Sequence, residues 1–282
     1  MYKLFYKIKR VGISVFSAIL IFQSSTILAQ GNLLIIPRRV VFEGGKKTQD
    51  VNLANSGNDT AKYVISLVQV RMKDDGGFER ITEPDSGQYF ADKFIRFFPR
   101  RVLLAPGESQ VIKVQLTKAD KLLPGEYRSH IFFRAEPNEK PLGENESQKK
   151  DTTLISVRLT AVFGMTIPVI IRIGENNTRV SISDLSVLNA ENDTIPIIKM
   201  KFTRTGNMSV YGDLTVTYIS PKGNETQVSI AKGVAVYTPN EIRWFQVALE
   251  KKNSINYKTG KIRVNYSSQS GDKLAEGEII LK

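Results

Sequence analysis

The sequence contains no cysteine and only one histidine, His130. Without thiols, the chain can form neither a disulfide nor a cysteine-based metal site or nucleophile. A single imidazole supplies too few ligands for a transition-metal site. The chain also lacks a glycine-rich phosphate-binding loop and the Gly-x-Ser-x-Gly turn of serine hydrolases. We therefore predict a protein that is not an enzyme and needs no metal or other cofactor, and we interpret His130 as structural.

Apolar runs long enough to span a membrane are also missing. The run near the N-terminus, Val11–Phe22, is shorter than the roughly 20 residues that a spanning helix needs. It follows a basic segment without acids, residues 1–10, and precedes a candidate cleavage point after Ala29. This order is typical of a secretory signal peptide. We predict a signal peptide over residues 1–29, export to the periplasm, and a mature chain without a membrane span.

Acidic residues are outnumbered: 28 Asp and Glu stand against 40 Lys and Arg, a formal net charge of +12. The basic residues are spread along the chain among acids. Nucleic-acid binding favours a dense basic stripe, often with aromatic platforms. We therefore predict no nucleic-acid partner and interpret the charge as an aid to solubility and to attraction of acidic partners.

The rest of the chain has the pattern of short β-strands. Apolar and polar residues alternate in runs such as Lys62–Val70, Ser109–Leu116 and Gly260–Tyr266, and turn sequences such as Asp74–Gly77 and Pro124–Gly125 separate the runs. No long segment keeps apolar residues at the 3.6-residue spacing of a helix. Many short strands between turns predict an all-β fold built from sandwiches.

A polar break, Gly174–Asn177, follows the longest extended apolar run of the mature chain, Val157–Ile173. We place a domain boundary there and predict domains over residues 30–173 and 174–282, both of ordinary size. Without disulfides, each must be held together by packing alone. In the second domain we predict Trp244 to be a core aromatic.

Five segments of the first predicted domain occur in a distinctive order behind the signal peptide: Arg39–Gly44, Val51–Asn55, Phe98–Gln110, Leu123–His130 and Thr166–Arg172. Their order and spacing resemble those of periplasmic pilus-assembly chaperones of the PapD-like type. The resemblance covers residues 33–172 and reaches the second domain only through position and length. It implies two immunoglobulin-like β-sandwich domains joined at an angle, with a cleft between them, in a protein that is a monomer when not bound.

The resemblance also implies a function. Chaperones of this type cap pilus or fimbria-like subunits, each of which is an incomplete sandwich that lacks its last strand. This chain would lend a strand of its first domain to the subunit, a form of β-augmentation that needs no ATP. An outer-membrane usher is a candidate further partner. The alternative is a two-domain immunoglobulin-like structural or adhesive surface protein that kept the fold but not the subunit-capping role.

The strand to be lent is the last strand of the first domain, which we predict over Leu154–Phe163, behind a predicted loop at Glu136–Thr153. Strand alternation places one apolar row on a single face: Ile155, Val157, Leu159, Ala161 and Phe163. This row either inserts into a subunit groove or packs within its own sandwich. The sequence leaves both interpretations open.

In the family, an Arg on the first strand and a Lys on the last strand of domain one bind the subunit's C-terminal carboxylate. Arg39 matches the Arg through its Val-Val-Phe-Glu-Gly context, and a guanidinium suits a carboxylate because it donates two parallel hydrogen bonds. The alternative for Arg39 is a solvated or ion-paired surface residue. The Lys is missing, because its position falls at Phe163 or Gly164. Ile167 likewise stands where the family has an interdomain Arg.

Overall fold

The computed structural model describes residues 33–136, 162–188, 195–252 and 255–281. Strands make up most of this part of the chain, and its helical elements are single 3-10 turns at Asp92–Phe94 and Ala119–Lys121. Neither turn, nor any other described segment, is a helix long and apolar enough to cross a membrane. The prediction of an all-β fold is confirmed.

Eleven strands are described before Gly174. They are β1 (Leu33–Ile36), β2 (Val40–Phe42), β3 (Thr48–Asn55), β4 (Ala61–Val68), β5 (Val70–Met72), β6 (Phe78–Arg80), β7 (Ile95–Phe98), β8 (Arg101–Leu104), β9 (Ser109–Leu116), β10 (Gly125–Glu136) and β11 (Gly164–Ile173). One sheet has the order β1-β3-β9-β7 and the other β2-β11-β10-β4-β8. Strands β5 and β6 form a separate two-stranded hairpin. The two larger sheets form the first sandwich, with an immunoglobulin-like arrangement.

The core of this sandwich lies between the two sheets, because alternate residues of each strand point inward. On β9, for example, Ile112 and Val114 are fully buried, while Val111, Lys113 and Gln115, which alternate with them, are exposed. They pack in one cluster with Val51 and Leu53 of β3 and with Phe133 of β10. The alternation that predicts Ser109–Leu116 as a strand is therefore the alternation that fills the core.

Strand β10 departs from this pattern because its first seven residues are all buried. Ile131 and Phe133 face the core of the first sandwich. On the opposite face, Arg128 contacts the second sandwich and His130 contacts Phe78 of the β5–β6 hairpin. Both faces of β10 are thus covered.

Seven described strands belong to the second sandwich: β12 (Arg179–Leu188), β13 (Ile197–Thr205), β14 (Val210–Ile219), β15 (Glu225–Val236), β16 (Ile242–Ala248), β17 (Gly260–Ser267) and β18 (Lys273–Leu281). Their sheets have the orders β12-β13-β16 and β15-β14-β17-β18. The core between them includes Phe202 and Tyr266, whose rings meet edge to face at 5.1 Å. The fold is therefore two β-sandwiches, as predicted.

One predicted strand is misplaced. The last strand of the first sandwich is β11, which begins at Gly164, so the prediction that this strand ends at Phe163 is wrong. The apolar run continues through Ile173 without a turn residue, and alternation alone does not show where pairing with β10 begins. Residues 154–161 of the predicted strand lie outside the described residues.

The prediction of Trp244 as a core aromatic is also wrong. Its side chain is 36% exposed on β16, and the Nζ atom of Lys199 lies 4.7 Å from its ring. Its neighbours Phe245 and Val247 pack against the core instead. Because side chains alternate along a strand, a core position for Phe245 places Trp244 on the outer face.

Candidate functional site

Within the described residues, strand β11 has an open edge over its first half. Along one side, β11 pairs with β10 over its whole length, from Gly164 to Ile173. Along the other side, β2 pairs only with Val169–Ile171. Among the described strands, none pairs with the outer edge of Gly164–Pro168. Backbone groups on such an edge are available to an added strand.

The pairing with β10 shows which backbone groups face outward. The N–H of Ala135 donates to the carbonyl of Phe163 at 2.9 Å, so Phe163 and every second residue after it bond to β10. Gly164 and Thr166 then direct their N–H and C=O groups to the open edge. Pro168, next in this series, has no N–H to offer.

Apolar side chains are exposed beside this edge. Val162 is 47% exposed, Phe163 65% and Met165 41%. By contrast, Ile167 and the rest of β11 up to Ile171 are buried or half-buried. An open edge with exposed apolar side chains is a surface suited to another β-strand.

Gly164 is required by close packing. A Cβ atom at this position would collide with the ring of Phe132 on the neighbouring strand. A lysine at Gly164 would therefore require that ring to move. A different cation lies next to the same ring, because the Arg80 guanidinium of β6 stacks 4.6 Å over Phe132.

Arg39 lies between the two sandwiches. Its guanidinium stacks 4.5 Å over the ring of Tyr211 on β14. Its Nε and Nη2 atoms are buried and make no hydrogen bond within the described chain. Burial lowers the pKa of Arg39, and the nearby charge of Arg172 lowers it further. The Tyr237 hydroxyl raises this pKa and so partly offsets the lowering. Nε and Nη2 form one edge of the guanidinium, the edge that binds a carboxylate through two parallel hydrogen bonds.

A second arginine is more deeply buried nearby. Arg128 of β10 is 2% exposed, stacks 4.6 Å over Tyr237, and donates through Nη2 to the carbonyl of Thr238 at 3.2 Å. Its Nε and Nη1 atoms have no partner within the described residues. Arg39 and Arg128 thus bring two cations of the first sandwich against tyrosines of the second.

A buried carboxylate joins the sandwiches. Glu126 of β10 accepts hydrogen bonds from Arg172 Nε at 3.0 Å, from Ser209 N–H at 3.0 Å and from the Ser209 hydroxyl at 2.7 Å. Its other oxygen accepts from the Thr238 hydroxyl at 3.3 Å. Arg172 of β11, five residues after Ile167, therefore places a cation in the contact between the sandwiches.

The predicted site residues fall into three groups. Arg39 lies at the contact between the sandwiches, and Phe163 is exposed directly before β11. Ile155, Val157, Leu159 and Ala161 lie outside the described residues. The sequence does not indicate Tyr211, Glu126 and Arg80, because their partners are distant along the chain and no local motif marks them.

No family model and no curated protein matches the chain. Among solved structures, it is similar to the class 5 fimbriae chaperone CfaA, with 14% identity, 89% of this chain and 99% of that chain covered, and a TM-score of 0.42. It is also similar to the E. coli chaperone DraB, with 11% identity, 90% and 98% covered, and a TM-score of 0.41. A third similar structure is the SafB chaperone of Salmonella enterica, solved with the SafA pilin. Its sequence identity to this chain is 13%, the match covers 90% of this chain and 98% of that chain, and the TM-score is 0.40. Similarity at this level does not assign a function.

Proposed function

We propose that this chain is an exported, ATP-independent chaperone that caps pilus or fimbria-like subunits by lending them a β-strand. The observation that carries the proposal is the open edge of β11 at Gly164–Pro168, beside exposed Val162, Phe163 and Met165. A subunit that lacks a strand exposes the complementary surface, namely unpaired backbone groups and an apolar groove. Pairing the two satisfies the backbone groups and buries the apolar side chains.

The predicted apolar row forms part of this proposal. Ile155, Val157, Leu159, Ala161 and Phe163 would enter the subunit groove, with Phe163 nearest to β11. Arg39 would bind the subunit's terminal carboxylate through Nε and Nη2, which are buried without a partner among the described residues. Leaving such donors unpaired costs about 1–3 kcal/mol each. A carboxylate that accepts hydrogen bonds from both donors would remove this cost, which favours its binding.

The cellular setting follows from the same proposal. Cleavage after Ala29 would release a chain that acts in the periplasm as a monomer until it meets a subunit, with an outer-membrane usher as the acceptor of the complex. The solved SafB structure contains a pilin. For this chain, the proposal of a partner of the same class is supported by the β11 edge. The described edge is open, which favours capping over the adhesive alternative, for which a closed last strand is expected.

The test is recovery of a capped subunit from the periplasm. The tagged chain is expressed with its own N-terminus, purified from the periplasm, and co-eluting proteins are identified by mass spectrometry. We expect an exported β-rich subunit whose binding slows amide hydrogen exchange at Gly164 and Thr166. A co-eluting protein that leaves exchange at both amides unchanged would argue against the proposed edge.

Two matched variants localise the contact. Phe163→Asp places a carboxylate in the proposed apolar contact and should lower subunit recovery by about tenfold or more. Leu103→Asp changes a similarly exposed apolar residue on β8, at the opposite edge of the same sheet, and should leave recovery unchanged. Leu159→Glu tests the predicted row in the same way. Equal recovery with Phe163→Asp and Leu103→Asp would overturn the proposal.

A further inference from the structure

The β5–β6 hairpin projects from the first sandwich and belongs to neither of its sheets. Its strands pair from Val70 with Arg80 to Met72 with Phe78. The turn is closed by hydrogen bonds between Lys73 and Gly77 and from Gly76 N–H to the Lys73 carbonyl, each 2.8 Å. The Asp75 carboxylate accepts from Gly77 N–H at 2.8 Å. The tip therefore has a defined shape.

The base of the hairpin is fixed to the first sandwich. The side-chain amide of Gln88, 4% exposed, donates to the Val70 carbonyl at 3.0 Å. Arg71 forms an ion pair with Asp85 at 2.8 Å. Arg80, at the far end of β6, stacks on Phe132 of β10. These contacts hold the base of the hairpin in place on the first sandwich.

The tip binds the second sandwich. The N–H of Trp244 on β16 donates to the Asp74 carbonyl at 2.6 Å, and the Asn240 side chain donates to the Asp74 carboxylate at 3.3 Å. Strand β16 is the edge of its three-stranded sheet. The hairpin tip therefore satisfies a backbone donor on an edge that would otherwise face solvent.

The tip also fits closely against Arg243. A Cβ atom at Gly76 would lie 2.6 Å from both Nε and Nη2 of Arg243. That guanidinium cannot move freely, because its Nη1 donates to the Ala235 carbonyl and its plane stacks 5.3 Å over Phe245. Gly76 has a φ of +84°, so glycine is favoured there by its backbone conformation as well.

The sides of the hairpin add apolar contacts. Met72 is 4% exposed in a cluster with Ile170 of β11 and with Ala235 and Tyr237 of the second sandwich. The Phe78 ring lies 5.4 Å from His130 and 6.1 Å from Tyr237. The hairpin thus contacts both sandwiches along its length.

We propose that the β5–β6 hairpin is a strap that fixes the orientation of the second sandwich relative to the first. Domains joined by a modest interface move relative to each other by default. Here the strap adds a backbone hydrogen bond at Trp244, a close fit at Gly76 and apolar contacts at Met72 and Phe78. This inference does not depend on the proposed function, because it concerns the geometry of the chain without a partner.

The test measures a distance between the sandwiches. Because the chain has no cysteine, spin labels can be placed solely at Lys113→Cys on β9 and Lys222→Cys in the second sandwich, both exposed positions. Pulsed electron resonance then gives the distribution of the inter-label distance. Hydrogen exchange at the Trp244 amide reports separately whether the tip is docked.

The main variant is Gly76→Asn. Asparagine tolerates positive φ, so this change inserts a side chain against Arg243 with little backbone strain. We expect Trp244 amide exchange to rise about tenfold and the distance distribution to widen about twofold. Adding Arg243→Ala should relieve the collision and reverse both effects. The control, Gly107→Asn, has a φ of +73° with no atom within 4 Å, and should change neither measurement.

Phe78→Ala is a second variant that keeps the proposal testable if Gly76→Asn does not fold. Phe78 is 50% exposed, so its truncation removes strap contacts without opening a core. Phe78→Ala should widen the distribution of the inter-label distance, as Gly76→Asn does. A narrow distribution in a variant whose Trp244 amide exchanges fast would overturn the proposal, because the strap would be detached while the orientation held. An unchanged rate of hydrogen exchange at the Trp244 amide in both variants would also overturn the proposal.

Discussion

The guanidinium of Arg39 in the first sandwich lies 4.5 Å over the ring of Tyr211 in the second. Stacking uses the flat face of the guanidinium and leaves its N–H groups directed outward in the plane. Two of them, on Nε and Nη2, have no hydrogen-bond partner within the described residues. Tyr211 therefore covers one face of the guanidinium without using these two donors.

The first prediction concerns this ring. Tyr211→Leu removes the stacking and should lower recovery of a bound subunit by about fivefold, since a cation–π contact contributes about 1 kcal/mol. Tyr211→Phe keeps the ring and should bind as the parent chain does. Periplasmic co-purification provides the measurement. Equal losses in the two variants would show that the hydroxyl, not the ring, matters.

The second prediction separates charge from geometry at Arg39. Arg39→Lys retains the positive charge but cannot donate two parallel hydrogen bonds from one plane. If Arg39 binds a carboxylate, recovery should fall about tenfold, because hydrogen bonds to charged groups contribute about 1.5–3 kcal/mol. Arg38→Lys, at the exposed neighbouring position, serves as the control. Full recovery with Arg39→Lys would indicate that only the charge is used.

The third prediction concerns the stability of the contact between the sandwiches. Glu126→Gln removes the charge that Arg172, Ser209 and Thr238 stabilise, and should lower the free energy of unfolding by about 2 kcal/mol. Glu276→Gln breaks an exposed ion pair with Lys273 and should leave the free energy of unfolding nearly unchanged. Urea denaturation followed by circular dichroism measures both. Equal changes would mean that Glu126 contributes no more than a surface charge.

The fourth prediction is a loss of stability in acid. Burial, and then the charge of Arg128, lower the pKa of His130 from 6.5 to about 3. The unfolded chain therefore binds a proton below pH 6.5 that the folded chain does not bind. The His130 contribution is fully present above pH 6.5 and is lost as the pH falls toward 3, by about 2 kcal/mol at pH 5.

His130→Phe isolates this effect, because the sequence has no other histidine. A phenyl ring can keep the edge-on contacts with Phe78 and Tyr237 and does not titrate. Urea denaturation at pH 7 and pH 5 should show a smaller loss of stability in the variant than in the parent chain. The same loss of stability in the parent chain and the variant would mean that acidic residues, not His130, determine the change in stability between pH 7 and pH 5.

The sequence predicts the strands well where only one face of a strand is buried. On β9, the alternation of Ile112 and Val114 with polar residues gives the observed bounds, Ser109–Leu116. The prediction fails near β11 because both faces of its second half are covered, so that Val169, Ile170 and Ile171 are all buried. An uninterrupted apolar run does not mark its own start.

The candidate site is less predictable from sequence than the fold. The context of Arg39 identifies the strand that follows it, β2. The contact of Arg39 with Tyr211 spans the two sandwiches, and no local pattern indicates it. Likewise, Arg80 and Phe132 come together only because the β5–β6 hairpin lies over β10. Contacts of this kind depend on how separate units pack, and this packing is not encoded in the periodicity of either segment.

Pro168 sets a limit on any guest strand at β11. Its ring nitrogen stands where the next outward donor would be, and directly beyond it β2 occupies the edge from Val169 onward. A guest that paired further along would lose a hydrogen bond and then collide with β2. If a guest strand pairs with this edge as proposed, Pro168 would therefore mark the end of the ladder that the two strands share.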